Sequence, residues 1–93
     1  MRRGLKKRPY RTPPRSLADL RSGEEGVLES LDLPQGDARR LMELGFLPGT
    51  VVGAGRAAPG GDPRVFRVDG SEIALRRATA RQIHLKPPQG GTP

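Results

Sequence analysis

The 93-residue sequence predicts a mainly β protein, a small and strongly bent β-barrel of about five strands with one or two short helices. Short β-prone runs recur along the chain, and turn signals separate them. The 13 glycines and 10 prolines interrupt these runs before they become long. Because the helical patterns cover only one or two turns, we expect strands to supply most of the core.

The chain divides into a polar start, a folded centre and a polar end. We expect residues 1–15 to be a flexible, disordered basic tail, residues 16–86 to form the barrel, and residues 87–93 to be disordered. No apolar run approaches the roughly 18 residues of a membrane span, and the charged start lacks the apolar stretch of a secretory signal. The absence of cysteine excludes disulfides and thiolate metal sites and fits a reducing compartment.

The formal charge of +7 is confined to the tail. Residues 1–15 hold seven bases and no acids, whereas the rest of the chain holds ten of each. The predicted barrel is therefore neutral, and the tail is either a solubilising extension or a segment that contacts phosphate backbones or an anionic membrane surface. The candidate polyanion-contacting residues are Arg2, Arg3, Lys6, Lys7, Arg8, Arg11 and Arg15.

The folded part opens with a helical turn and a strand. Residues 16–23 begin with a possible cap, and Leu17 and Leu20 have the spacing of one helical turn, so they should close one end of the core. The first strand is expected at 24–33, with Val27, Leu28 and Leu31 buried. Because neighbours on a regular strand face opposite sides, either a bulge or a two-sided position is required there.

Residues 37–50 contain a complete helix and turn. Asp37 is the predicted N-cap, and an apolar face is predicted behind it. Gly45 is placed as a left-handed C-cap, Phe46 as the apolar residue that packs back on the last turn, and Pro48-Gly49 as a type II turn. The predicted apolar face consists of Ala38, Leu41, Met42 and Leu44.

The second half of the chain predicts three more strands. A short strand at 51–55 precedes a turn at 58–63; its Gly53-Ala54-Gly55 lacks the third glycine of a dinucleotide fingerprint. Asp69-Gly70 then predicts a two-residue hairpin. Its register pairs Val68 with Ser71, Arg67 with Glu72, Phe66 with Ile73, and Val65 with Ala74. A helical turn at 76–82 and a strand at 83–86 complete the predicted fold.

Four stretches, in this order, resemble the ferrous iron transport protein A (FeoA) family of small SH3-like barrels. They lie at 17–24, 40–50, 59–63 and 73–83, and the second is the most specific, with the sequence Arg-Leu-Met-Glu-Leu-Gly-Phe-Leu-Pro-Gly-Thr. The resemblance implies a cytoplasmic accessory protein, active at the inner face of the cell membrane, whose partner is a membrane ferrous iron transporter with a GTPase domain. The same module also occurs fused to metal-dependent repressors. The basic tail is not part of the family pattern.

The residues predict no enzyme and no tight metal site. The sequence has no cysteine and one histidine, and its carboxylates are scattered, so it offers no nucleophile with an adjacent base. His84 is the sole imidazole, and its place between Ile83 and Leu85 predicts an outward-facing side chain rather than a ligand. We expect no resident cofactor, and at most weak binding of Fe2+ or another divalent transition metal.

Two arginine clusters remain as candidate contact sites. They are either solvated faces of a helix and a strand or the polar rim of a protein interface, where the planar guanidinium group is favoured. The candidate interface residues are Arg39, Arg40, Glu43, Arg76 and Arg77. The predicted function is a non-enzymatic interaction module; the alternative is a nucleic-acid-binding module that uses the tail, which the neutral barrel disfavours. Membrane association is expected only through the partner or the tail.

Overall fold

The computed structural model describes residues 12–87; the tail bases at 2–11 and residues 88–93 of the end predicted to be disordered lie outside them. A 3-10 turn (Leu17–Asp19) comes first and a second one (Pro59–Gly61) lies at mid-chain. The helices are α1 (Gln35–Glu43) and α2 (Arg77–Ala80). The strands are β1 (Glu25–Leu31), β2 (Val51–Ala57), β3 (Arg64–Val68), β4 (Ser71–Leu75) and β5 (Ile83–Leu85). The mainly β prediction is confirmed.

The five strands form one antiparallel sheet in the order β4-β3-β2-β1-β5. Strand β1 pairs with a different neighbour in each half, and this bends the sheet into a barrel. The first half of β1 pairs with β2, from Glu25 opposite Gly53 to Val27 opposite Val51. Its second half pairs with β5, and the register shifts between Leu28 and Ser30. Of the two alternatives that the sequence allowed here, a bulge or a two-sided position, the structure has the bulge. It lets one strand contribute to two sides of the barrel.

The core is a single apolar cluster at the concave side of the sheet. Leu17 and Leu20 close one end of it, as predicted, and are 0% and 2% exposed. Asp19 holds this end, since its carboxylate accepts from the Ser16 amide at 3.2 Å and its own amide donates to the Ser16 carbonyl at 3.0 Å. The largest fully buried side chains are Phe46, Phe66, Leu17, Leu20, Leu28, Ile83, Val52 and Val68.

Helix α1 begins earlier than the sequence predicted. Pro34 is its N-cap, and the Ala38 amide donates to the Pro34 carbonyl at 2.9 Å. The assignment of Asp37 as N-cap is therefore wrong: Asp37 lies in the first turn. The fixed φ of Pro34, −54°, sets the chain's direction into the helix, and the Asp37 carboxylate keeps a favourable place near the positive end of the helix dipole.

The end of α1 follows the prediction. The Phe46 amide donates to the Leu41 carbonyl and the Gly45 amide to the Met42 carbonyl, both at 3.0 Å, which is a Schellman motif. Gly45 has a φ of +112°. The next turn is closed by the Thr50 amide on the Leu47 carbonyl at 3.0 Å, and Gly49 has a φ of +92°, as a type II turn requires.

The β3–β4 hairpin has the predicted register in all four pairs, from Val68 opposite Ser71 to Val65 opposite Ala74. Asp69 and Gly70 have φ values of +50° and +80°, so both turn residues are left-handed. Arg67 Nε lies 3.9 Å from Glu72 Oε2 on the outer face. Local turn chemistry therefore fixes this part of the sheet.

Candidate partner-binding surface

The five residues predicted for an interface are all exposed, but they belong to two helices. Arg39, Arg40 and Glu43 lie on α1, whereas Arg76 and Arg77 lie at the start of α2. Helix α2 packs against the first 3-10 turn, and the Arg77 amide donates to Asp62 Oδ1 at 2.9 Å. Within residues 12–87, none of the five side chains forms an ion pair.

Four exposed apolar side chains lie at the end of α1 and just after it in the chain. They are between 38% and 50% exposed, and we call this set of residues the α1-end patch. The last turn of α1, the type II turn and the first residue of β2 supply it, so all four come from residues 42–51. Its members are Met42, Leu44, Leu47 and Val51.

The exposure of Met42 and Leu44 corrects the sequence prediction, which placed both on the buried face of α1. Only Ala38 and Leu41 of that face are buried. The reason is the Schellman motif, which folds Phe46 back so that its ring, 0% exposed, occupies the core at this end of the helix. Met42 and Leu44 are left at the surface, where they adjoin Glu43.

The surface around the α1-end patch has the composition of a protein interface. Fully buried interface centres are rich in apolar side chains, and arginine is enriched relative to the rest of a protein surface. Arg39 lies one helical turn from Met42, and Arg40 one turn from Leu44. Gly45 lies beside the hairpin turn, because a Cβ added to it would be 3.6 Å from the Cβ of Asp69. Charged residues therefore occur near this stretch of the chain both on α1 and in the hairpin turn.

The single imidazole has one acidic neighbour. His84 Nε2 lies 3.8 Å from Asp32 Oδ2, and the two side chains are 41% and 74% exposed. In the described part of the chain, no three His, Cys, Asp or Glu side chains are grouped so that they could hold a metal ion. The Asp62 carboxylate accepts from the backbone amide of Arg77, at the start of α2. None of the helices between residues 12 and 87 is long and apolar enough to cross a membrane.

Comparison with known proteins identifies the family of this barrel. The model of the FeoA domain matches residues 15–87. The chain belongs to the FeoA family. The match covers the whole barrel, from two residues before the first 3-10 turn to two residues after β5. The FeoA domain begins at Arg15, whose carbonyl accepts from the Leu85 amide at 2.8 Å.

Two solved FeoA structures have the same fold. The solution structure of the FeoA protein from Chlorobium tepidum is 31% identical with a TM-score of 0.71, over 82% of this chain and 74% of that one. A crystal structure of Stenotrophomonas maltophilia FeoA complexed with zinc is 36% identical with a TM-score of 0.67, over 76% of this chain and 88% of that one. The latter is described as a unique procaryotic SH3 domain protein, which supports the SH3-like assignment.

A curated relative joins this domain to a transporter. The Fe(2+) transport protein A/Fe(2+) transporter FeoB fusion protein of Porphyromonas gingivalis is 27% identical over 70 residues. The matched region is 75% of this chain but only 8% of the fusion protein. The chain thus spans a small part of that relative, and the family is linked to ferrous iron transport.

Proposed function

We propose that this chain is a non-enzymatic accessory protein of ferrous iron transport that binds a membrane iron transporter carrying a GTPase domain. The FeoA domain fused to the transporter FeoB in Porphyromonas gingivalis supports this partner, because covalent linkage gives two interacting modules a high effective concentration. The Stenotrophomonas maltophilia relative, described as possibly a ferrous iron transport activating factor, supports the regulatory role.

The α1-end patch is the observation that carries the proposal on this chain. Four partly exposed apolar side chains supply area that a partner can remove from water. Since each is 38–50% exposed, covering the rest of it is worth at most about half of the roughly 1.5–3 kcal/mol for complete burial. Arg39, Arg40 and Glu43 would form the polar rim and set the orientation of the partner. Arg76 and Arg77 would make a second, smaller contact.

Binding would change transport by selecting one state of the transporter. A module without catalytic groups alters nucleotide turnover only if it binds two conformations with different affinities. The sequence has no cysteine and a single histidine, so the barrel supplies no chemistry of its own. The proposal places the protein in the cytoplasm, at the inner face of the membrane, where the partner or the tail holds it.

We expect Leu47→Asp to weaken binding to the transporter by about 30-fold, because a carboxylate in the centre of an interface is desolvated without a partner. The measurement is a binding titration of the chain against detergent-solubilised transporter from the same organism. Ser30→Asp is the control, since it adds the same charge at an exposed residue of β1, outside both proposed contacts, and should leave the affinity unchanged.

The two failures are distinguishable. If the wild-type chain does not bind the transporter, the proposed function is wrong. If wild type and Leu47→Asp bind equally well, the function survives but the α1-end patch is not the contact surface.

A nucleic-acid-binding role is the competing hypothesis, and the tail tests it. We expect replacement of the seven bases at positions 2–15 with glutamine to abolish retention on heparin, because the remainder of the chain carries equal numbers of acids and bases. The control replaces four exposed barrel arginines, and it should retain most of the affinity. Retention that persists without the tail bases would favour a polyanion-binding barrel. The four control positions are Arg39, Arg40, Arg76 and Arg77.

Metal binding by this chain is proposed to be weak and not essential to its fold. Tight transition-metal sites use several imidazole or thiolate ligands, and this sequence offers only His84, with the Asp32 carboxylate nearby. Fe2+ is thus treated as the transporter's cargo and not as a resident cofactor of the barrel.

A further inference from the structure

The two edges of the sheet differ in how they are covered. The edge at β5 is occupied by the chain itself, because Ser16 forms a β-bridge with His84 and the Leu85 amide donates to the Arg15 carbonyl at 2.8 Å. At the other edge, β3 is the only strand beside β4 within residues 12–87. Strand β4 also lacks proline and pairs with β3 without a register shift, so neither a proline nor a β-bulge blocks pairing at this edge.

The hairpin turn determines which backbone groups this edge presents. After a two-residue turn, the first pair, Val68 with Ser71, exchanges both hydrogen bonds, and the exchange recurs at every second pair. The amides and carbonyls of Glu72 and Ala74 therefore point away from β3. Arg76 continues this edge, since its backbone is still extended with φ −73° and ψ 151°. Its carbonyl accepts from the Thr79 and Ala80 amides, which leaves its amide for the edge.

The side chains of the same three residues form a self-complementary row. Glu72, Ala74 and Arg76 are all exposed, and their spacing of two puts them on one face of the strand. If two β4 strands pair antiparallel with Ala74 opposite Ala74, Glu72 of each copy lies opposite Arg76 of the other. The small alanines meet at the two-fold axis, and two pairs of opposite charge flank them.

We propose that the chain forms a two-fold symmetric dimer through antiparallel pairing of its β4 strands about Ala74. This arrangement is isologous, so it closes after two copies and leaves no further edge. It forms about four backbone hydrogen bonds, two between the alanines and one from each Arg76 amide to the opposite Glu72 carbonyl. It also sets the half-buried Ile73 of each copy opposite Leu75 of the other, which covers apolar surface on the inner face.

Charge complementarity selects a second copy as the occupant of this edge. Within one chain, Glu72 already lies 3.9 Å from Arg67, so the dimer places each Glu72 near two guanidinium groups. No pair of like charges is opposed in this register, whereas moving one strand along the other by two residues would lose both ion pairs. The dimer proposal uses a different principal surface from the transporter proposal, because β4 does not contribute to the α1-end patch; Arg76 is the one residue common to both.

The test uses two charge reversals in the full chain. Glu72→Arg alone opposes Arg with Arg twice in the homodimer, and Arg76→Glu alone opposes Glu with Glu twice. An equimolar mixture of the two variants restores both opposite-charge pairs. We expect sedimentation velocity to show a concentration-dependent dimer for the wild type, at least about tenfold weaker association for each variant, and a dimer again for the mixture.

Two controls match these changes in charge. Glu43→Arg and Arg39→Glu alter exposed residues of α1, and both should dimerise like the wild type. Circular dichroism should show that Glu72→Arg and Arg76→Glu are folded, because both residues are exposed and the Arg67–Glu72 pair contributes little to stability.

A measurement on the wild type needs no variant. In the dimer the Ala74 amide is hydrogen-bonded, so its hydrogen exchange should slow by about tenfold or more as the protein concentration rises. The Ile73 amide, which bonds β3 in both states, should exchange slowly throughout. A wild type that stays monomeric up to about 1 mM overturns the proposal. So does a dimer in which Ala74 exchange is unchanged, or one that both reversals leave intact.

Discussion

Phe66→Ala is expected to lower the free energy of unfolding by about 3–5 kcal/mol. Phe66 is 1% exposed, lies on the central strand of the β2–β3–β4 segment, and is opposite Ile73 in the hairpin. Truncation removes most of the buried ring and leaves a cavity that the short strands around it cannot fill. A domain of about 70 residues has only about 5 kcal/mol of stability in total, so a large share of the variant should be unfolded at 25 °C.

Urea denaturation followed by circular dichroism measures this loss. Val51→Ala is the control, because Val51 is apolar and lies on the neighbouring strand but is 50% exposed. Its free energy of unfolding should change by less than about 1 kcal/mol. If the two variants had similar unfolding midpoints, Phe66 would not be a principal core residue.

Gly45→Val is expected to destabilise the barrel by about 2 kcal/mol, and by more than about 1 kcal/mol in any case. Gly45 has a φ of +112°, which a β-branched residue rarely adopts. The backbone must either remain strained or give up the bonds of Phe46 and Gly45 to the last turn of α1. In addition, the new Cβ would lie 3.8 Å from both methyl groups of Val68, so the γ carbons would be crowded.

Thermal unfolding should show a melting temperature lower by about 8 °C or more, since 1 kcal/mol corresponds to about 4–8 °C in a domain of this size. Gly36→Val is the matched control: Gly36 lies inside α1, outside the left-handed region, and has nothing within 4 Å of the added Cβ. Valine has a slightly better helix propensity than glycine, so this variant should keep the wild-type melting temperature or exceed it. Equal losses at both positions would contradict the C-cap assignment.

The sequence predicted those parts of the fold that depend on neighbouring residues. The hairpin register follows from Asp69-Gly70, because only a few residues tolerate two left-handed positions in succession. The end of α1 follows from Gly45 for the same reason. The start of α1 was missed because two caps competed, and Pro34, with its fixed φ, directed the chain into the helix three residues before Asp37.

The candidate surface was only partly predictable. The α1 arginines are exposed, as charged residues on a short helix usually are. Helical spacing placed Met42 and Leu44 with the core, because periodicity shows which residues share a face but not which neighbour fills the space beneath them. The ring of Phe46, the residue after the left-handed Gly45, folds back under the end of α1 and fills that space. The stretch Leu-Gly-Phe-Leu-Pro-Gly has more apolar residues than a tight turn can bury. This excess was the one feature of the sequence that indicated exposed apolar side chains here.

The bonds that cover the β5 edge also bring the two ends of the barrel side by side. Arg15 accepts from Leu85, and the Lys86 amide donates to the Val27 carbonyl at 2.8 Å, so the chain enters and leaves the domain at the same place. A domain with adjacent ends can be attached to a larger polypeptide at either end, or inserted into a loop, without unravelling its own sheet. Such a barrel can therefore be joined to another polypeptide at little structural cost, and the Porphyromonas gingivalis relative is a fusion protein.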